Sequence, residues 1–397
     1  MSDGLRMLNC TLGDVAFEST ARFGESVTND AQVYGVDRSE GLTPDAKYAS
    51  KNLARYKVLE PQMFAYNPMR LNIGSIAYCT ERHSAGLVSP DYVVFGCKPG
   101  KLDPKFLSYF IKGLDWRKWT TAAGVGSVRV RIYFRELARM PVRIPPLPQQ
   151  KAIAAVLAAL DDKIELNRRM NATLEAMARA LFQSWFVDFD PVRAKLDGRE
   201  PVGLDQGTAV LFPAFFHETK VGHIPAGWQL GRLADLCNLK RGHDLPTSTR
   251  TAGPIPVISS SGISGTHSET NVLGPGVVTG RYGTIGKVFY IETDYWPLNT
   301  TLFVDDFKGN PPRFIFHALG EVNFQNYADK AAVPGVNRNH LHEEPMVLPP
   351  LELRQAFANS VAPLWAQHAT NEEESRILAS LRDMILPKLL SGMLKFK

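Results

Sequence analysis

Arg143-Ile144-Pro145-Pro146-Leu147 opens a long run rich in Ala and Leu, and Val347-Leu348-Pro349-Pro350-Leu351 opens another. Setting Pro145 against Pro349 gives an offset of 349 − 145 = 204, and the same offset aligns Leu160 with Leu364, Asn167 with Asn371, Leu174 with Leu378 and Leu181 with Ile385. One register held over so long a stretch marks an internal duplication. A chain of two copies folds into a pseudo-twofold body, suited to a partner that itself comes in two halves.

The runs that follow the two Pro-Pro pairs read as helices. From Gln149 to Phe186 there is no Gly or Pro, and Ile153, Leu157, Leu160, Ile164, Asn167, Asn171, Leu174, Ala178, Leu181 and Trp185 step by four and three, the spacing of a coiled-coil seam. At about 1.5 Å per residue this helix is roughly 55 Å long, too long for one element of a compact domain. From Glu352 to about Leu394 the seam returns as Phe357, Val361, Leu364, His368, Asn371, Ser375, Leu378, Arg382, Ile385 and Leu389. Shared register makes each helix the natural partner of the other, in an antiparallel pair with the globular parts at opposite ends. The polar notch at Asn167 and Asn371 costs stability but fixes register, a reading preferred to direct binding of another subunit.

The chain thus divides into a first globular domain (1–146), a first helical region (147–187), a linker (188–221), a second globular domain (222–350) and a second helical region (351–397). In the first domain Ile73 to Tyr78 and Tyr92 to Phe95 predict strands and Lys105 to Lys118 the best helix; in the second, Gly276 to Thr279, Lys287 to Glu292 and Thr300 to Asp305 predict strands. The domains echo each other: Leu12-Gly13-Asp14-Val15 matches Leu233-Ala234-Asp235-Leu236, Asn72 to Tyr78 matches Thr284 to Tyr290, and Gly126 falls near Gly335. The expected fold class is α+β, one mixed α/β fold used twice with diverged surfaces, which suggests two readers of two different things.

With 397 residues, 44% hydrophobic, the chain can bury two ordinary cores. No run is apolar enough to cross a bilayer, and Met1-Ser2-Asp3-Gly4 does not begin a signal peptide, so the expectation is a cytoplasmic protein with no membrane partner. Cys10, Cys79, Cys97 and Cys237 contain no Cys-x-x-Cys pair and read as reduced thiols, with neither a disulfide framework nor a zinc site. A net charge of +5 permits nucleic-acid binding without demanding it.

Pro145 to Gln150 leading into a helix, Trp185-Phe186-Val187-Asp188-Phe189-Asp190-Pro191-Val192-Arg193-Ala194-Lys195, Ile224-Pro225-Ala226-Gly227-Trp228, and Thr279 to Lys287 followed by Asn299-Thr300-Thr301-Leu302-Phe303 occur here in that order. With the duplication, they make the whole chain resemble the DNA-specificity subunit of a type I restriction-modification system. The resemblance implies two target-recognition domains alternating with two helical spacers and no catalysis. It further implies that the chain holds two methyltransferase subunits, and in the full complex the motor-nuclease restriction subunits, on a bipartite asymmetric double-stranded DNA target. S-adenosylmethionine would then belong to the methyltransferase subunit, and this chain would carry no cofactor. The first domain departs from the pattern in lacking the Ile-Pro-x-Gly-Trp opening, so a shorter opening strand is expected there.

Catalytic signatures read weakly. Asn310-Pro311-Pro312 is similar to the Asn-Pro-Pro-aromatic motif of adenine methyltransferases, but Arg313 stands where the stacking aromatic belongs, and a Pro-rich loop is the better reading. Gly280, Gly283 and Gly286 lie between two predicted strands rather than ahead of a helix, as hairpin glycines would. His340 and His342 lack a third metal ligand at useful spacing. DNA contact is better supported. Lys112, Arg117, Lys118, Arg129, Arg131, Arg135, Arg139 and Arg143 meet only Asp115 and Glu136 over their stretch, and Ser127 and Tyr133 accompany them. The second domain offers Arg281, Tyr282, Lys287, Lys330, Asn337, Arg338 and Asn339, with guanidiniums suited to guanine and amides to adenine. Two other classes stay open: an assembly scaffold or decoy without DNA selectivity, and a fused DNA methyltransferase.

Overall fold

The structure, a computed structural model, describes residues 7–24, 31–44, 50, 52–123, 131–327 and 335–394. The chain forms two compact units, Met1–Arg168 with Glu372–Lys397, and Arg169–Asn371. The division falls within both long helical runs rather than at their ends.

In the first unit the chain runs β1 (Leu8–Thr11), α1 (Leu12–Val15), β2 (Ala16–Ser19), β3 (Tyr34–Asp37), β4 (Gly41–Pro44), β5 (Lys57–Leu59), β6 (Phe64–Tyr66), β7 (Ile76–Tyr78), β8 (Gly86–Val88), β9 (Val93–Cys97), α2 (Pro104–Phe110), α3 (Leu114–Ala122), α4 (Phe134–Leu137) and β10 (Pro141–Ile144), then enters the long α5 (Leu147–Phe186). An antiparallel sheet in the order β2-β9-β6-β7 forms its centre. Strand alternation splits that sheet's side chains between two cores. Phe64, Tyr66, Val93 and Phe95 face Phe106 and Leu107 of α2 and Ile153 and Leu157 of α5, while Ala65, Ala77 and Val94 face Leu59 and Val88. The single helix expected over Lys105 to Lys118 is two helices. The chain turns at Gly113, whose N–H donates to the Phe110 carbonyl at 2.9 Å and whose Cα leaves only 2.9 Å between an added Cβ and Leu390.

The second unit contains the end of α5 and then α6 (Asp190–Leu196), α7 (Gln206–Val210), β11 (Phe216–Thr219), β12 (Gly222–Pro225), β13 (Gln229–Arg232), α8 (Leu233–Leu236), β14 (Asn238–Arg241), β15 (Ile255–Ser259), β16 (Gly262–His267), β17 (Gly276–Gly280), β18 (Val288–Ile291), β19 (Trp296–Pro297), β20 (Thr301–Asp306), α9 (Pro312–Gly320), α10 (Arg338–His342), β21 (Pro345–Leu348) and the start of the long α11 (Leu351–Leu390). Its sheet β14-β20-β17-β18 repeats the order of the first, and β13 pairs with β21 as β1 pairs with β10. The carboxylates of Asp14 and Asp235 accept from the N–H groups of Thr11 and Arg232, both at 2.8 Å, closing the same tight helical turn in each copy. The shorter first opening strand does not materialise: β1 and β13 both have four residues, and what the second copy adds is the β11–β12 hairpin ahead of its strand. The linker is folded, with Phe189 and Phe212 buried beside Trp185, Phe186 and Trp228.

Each unit packs opposite ends of the two long helices together, so α5 and α11 run antiparallel. In the first unit Ile153 and Leu157 of α5 share a core with Leu389 of α11; in the second, Ala178, Phe182 and Trp185 of α5 share one with Leu353, Phe357 and Val361 of α11. The 204-related positions Leu160, Leu174, Leu181, Leu364, Leu378 and Ile385 line this seam half-buried. The polar notch is buried, but its contacts cross differently from the alignment. In the second unit Asn371 Nδ2 donates to Asn171 Oδ1 at 2.8 Å, and in the first Asn167 Nδ2 donates to Glu374 at 2.8 Å and to Ser375 Oγ at 3.3 Å.

Candidate nucleic-acid interface

In the first unit α3 buries Trp116 and Thr120 against the body and the turn at Leu71–Ile73, which leaves Arg117 and Lys118 on its open face. Ahead of α4, Ile132 is buried and its neighbours Arg131 and Tyr133 point outward, with Arg131 Nη1 3.5 Å from Tyr133 Oη. Lys112 stands apart. Its ammonium lies 5.1 Å from the centre of the Tyr109 ring, whose hydroxyl donates to Asp161 of α5 at 2.8 Å, and so it belongs to the junction with the helix pair. Ser127 and Arg129, with Gly126, lie outside the described residues, as does Lys330 of the second unit.

The second unit gathers its candidates into a cleft of about 490 Å³ lined by Lys240, Arg241, Arg281, Tyr282, Leu302, Val336, Asn337, Arg338 and Asn339. Four cations and no carboxylate line it, which favours an anionic occupant. Arg281 is held rigidly. Its N–H and that of Tyr282 donate to the Thr300 carbonyl at 2.9 and 3.2 Å, its carbonyl accepts from Val336 at 3.1 Å, and its Nε donates to the Val336 carbonyl at 3.4 Å. Its guanidinium lies 4.6 Å from the centre of the Tyr282 ring, leaving both terminal nitrogens for a ligand. The Tyr282 ring in turn packs against Gly335, where an added Cβ would come within 2.1 Å of it. Only glycine leaves room for this arrangement.

Asn337 caps α10, its side-chain oxygen accepting from Asn339 N–H at 3.0 Å. Bidentate reading of adenine uses both the amide oxygen and the NH₂, so the exposed Asn339 is the amide free to do it. Lys287 sits outside the cleft, over Phe289. Lys240 and Arg241 were not among the residues drawn from sequence: they enter along β14, where Arg241 lies opposite Leu302, and no local pattern ties that strand to residues 336–339.

The same backbone position carries different chemistry in the two units. Ile132 N–H donates to the Pro68 carbonyl at 2.9 Å as Val336 N–H donates to that of Arg281, so Pro68 and Met69 stand where the second unit has Arg281 and Tyr282. Met69 is 51% exposed. At this one position the first unit exposes a methionine and the second a cation.

The remaining motifs are structural. Asn310 is 4% exposed; its NH₂ donates to the Leu236 and Phe307 carbonyls at 2.8 and 3.1 Å, and its oxygen accepts from Arg354, which leaves nothing to hold a flipped adenine. Gly280, Gly283 and Gly286 belong to the β17–β18 hairpin and the turn that joins its strands. His342 Nε2 accepts from Leu239 N–H at 2.9 Å, and no cluster of three metal-ligating side chains exists among the described residues. No helix of the described residues is long and apolar enough to cross a membrane.

Comparison with known proteins agrees with this geometry. The family model for the type I restriction modification DNA specificity domain matches residues 63–176 and 225–375, a stretch in each copy. The HindI type I restriction enzyme specificity subunit of Haemophilus influenzae is 25% identical over 324 residues, covering 66% of this chain and 71% of that protein. The MjaIX specificity subunit of Methanocaldococcus jannaschii is 22% identical over 317 residues, 73% of this chain and 69% of the relative. The crystal structure of a type I restriction-modification S subunit from M. genitalium superposes with a TM-score of 0.56 at 14% identity, over 98% of this chain and 97% of the other, a likeness of fold. With two matched segments, the repeated sheet order and the paired long helices together, the chain belongs to the family of type I restriction-modification DNA specificity subunits.

Proposed function

We propose that the chain recognises a bipartite, asymmetric double-stranded DNA target, one half through each unit, and positions methyltransferase and restriction subunits on it while catalysing nothing itself. The observation that carries this reading is the repeated fold with unlike surfaces at one backbone position, Pro68-Met69 in one unit and Arg281-Tyr282 in the other. A homogeneous scaffold has no use for such divergence. In the second unit Arg281, fixed by its stack and by the Val336 carbonyl, reads a base edge, while Arg338, Arg241 and Lys240 at the rim hold phosphates. In the first unit Arg117, Lys118, Arg131 and Tyr133 form the corresponding surface.

The helices supply the face for partner subunits. Val156, Leu166, Ile377, Leu381 and Met384 are exposed in the first unit and Met170 and Met177 in the second, an apolar content that solvated helix faces rarely carry. Two methyltransferase subunits, one for each unit, fit a duplicated chain. S-adenosylmethionine belongs with them, since Asn310 is committed to the fold of this chain.

Exchanging Gly222 to Pro349 for the second domain of another family member tests the reading. Methylation mapped at single-base resolution should show one half of the motif changed and the other half and the gap kept. A change in both halves would mean joint reading, and methylation without any sequence preference would favour a scaffold.

A further inference from the structure

The turn between β6 and β7 differs from its counterpart between β17 and β18. Between the paired residues Tyr66 and Ile76 the chain spans 67–75, one residue more than the 280–287 between Thr279 and Val288. Both turns carry a glycine in the left-handed region, Gly74 at φ 92° and Gly286 at φ 79°, and both place an isoleucine just before it. Ile285 packs against the core of its unit, but Ile73 is 52% exposed. Met69, at the place of Tyr282, is exposed as well, while Pro68 and Leu71 on the same turn are buried.

This exposure belongs to a fixed backbone. Asn67 Oδ1 accepts from Met69 N–H at 3.0 Å and the Asn67 carbonyl from Arg70 N–H at 3.0 Å. The Arg70 carbonyl accepts from Ile73 and Ser75 at 3.2 and 3.0 Å, and the Leu71 carbonyl from Gly74 at 3.0 Å. A single exposed apolar side chain is ordinary. Two on one bonded turn, where the other unit sets the residues of its cationic cleft, form a presented surface whose ordering cost on contact is already low.

The rim of that surface is cationic. Arg70 is exposed on the turn itself, and the stem of Arg38 lies beside Gly74, where an added Cβ would be 3.6 Å from Arg38 Cγ. The helix α3 packs on the turn and exposes Arg117 and Lys118, with Asp115 its one acidic residue. Cations at the rim suit phosphates, which leaves an apolar centre to meet the base edges. In the major groove those edges carry donors, acceptors and one apolar substituent, the 5-methyl group of thymine.

We propose that Met69 and Ile73 read thymine methyl groups, so that the first unit recognises A·T pairs through an apolar contact where the second uses a guanidinium. This rests on the DNA-reading proposal above and adds to it the chemical group that is read. It also makes the first half-site sensitive to a change that leaves base pairing intact, since deoxyuridine pairs as thymidine does and lacks only the methyl.

The experiment uses the chain assembled with its methyltransferase partner and duplexes bearing the mapped motif. The first half-site is the half retained when Gly222 to Pro349 is exchanged. Each thymidine in it is replaced singly by deoxyuridine, and affinity is measured by competition. Loss of one buried methyl should weaken binding about fourfold at one or two positions. Met69→Ala should abolish the distinction between thymidine and deoxyuridine at one of them, and Met69→Leu should keep it. Full affinity for every deoxyuridine duplex would overturn the proposal; it is also the result expected of a wedge inserted between base steps, which is indifferent to the methyl. A half-site without thymine, or an undiminished deoxyuridine penalty in Met69→Ala, would overturn it too. Should scrambling the first half-site leave affinity unchanged, the DNA-reading proposal itself falls, and this one with it.

Discussion

Replacing Arg281 by Ala should relax the second half-site at one base pair. The guanidinium is half-buried, stacked 4.6 Å from the Tyr282 ring centre and bonded through Nε to the Val336 carbonyl, so little side-chain freedom is lost when it meets a base. A bidentate contact of this kind to guanine O6 and N7 discriminates by about 1–3 kcal/mol, or roughly 5- to 150-fold in affinity. The loss should fall on duplexes carrying the guanine and vanish for those in which that pair is already substituted. Competition binding of the assembled complex to a panel of single-pair substitutions measures this, and methylation mapping should show the same position becoming degenerate. Folding should survive, since removing the partly exposed stack on Tyr282 costs about 0.5–1 kcal/mol. Arg338→Ala is the contrast: at the exposed rim it should weaken all sequences alike and lower the slope of affinity against salt by about one unit. A uniform loss in Arg281→Ala would place that guanidinium on phosphate, and no loss at all would remove the cleft from the interface.

His317 of α9 is buried against Phe182, Phe357 and Trp365, and burial, reinforced by Arg313 and Arg179, pulls its pKa from 6.5 down to about 4. The unfolded chain then binds the proton first, so the stability this residue allows is complete above pH 6.5 and is lost as pH falls towards 4, by about 3 kcal/mol in all. Urea unfolding of His317→Leu between pH 7 and 4 should show a flatter decline than the parent, and equal slopes would refute the assignment. If the long helices set the gap between half-sites, inserting four residues near Asn171 lengthens α5 by about 6 Å, comparable to two base pairs. The mapped motif should keep its halves and gain one or two unspecified pairs, and an unchanged gap with full activity would show that the helices do not set it.

What sequence revealed and what it hid divide along a physical line. The duplication was legible because the Pro-Pro-Leu openings and the seam are local patterns, repeated at one offset, and the mirrored sheets followed from turn and strand signals just as local. An offset, though, names equivalent residues, not touching ones. In an antiparallel pair contacts join positions whose numbers sum to a constant, so Asn371 meets Asn171 and Asn167 meets Ser375, and both sums are 542. The cleft escaped for a related reason: β14, the β17 turn and the chain before α10 converge only through sheet register, and Lys240 and Arg241 have no neighbours in sequence to announce them. Divergence is greatest where the copies need not agree. Tyr109 on α2 and His317 on α9 sit at matching places behind the matched Phe106 and Phe314, yet the first reaches Asp161 and through it Arg382, while the second lies among Phe182, Phe357 and Trp365. The fold was copied, and at this one position the contact between domain and helices was rewritten, polar in one unit and aromatic in the other. If each unit reads one half of a bipartite target, as proposed, non-interchangeable junctions are an advantage, because a junction that fits only its own domain would keep the order of the two half-sites.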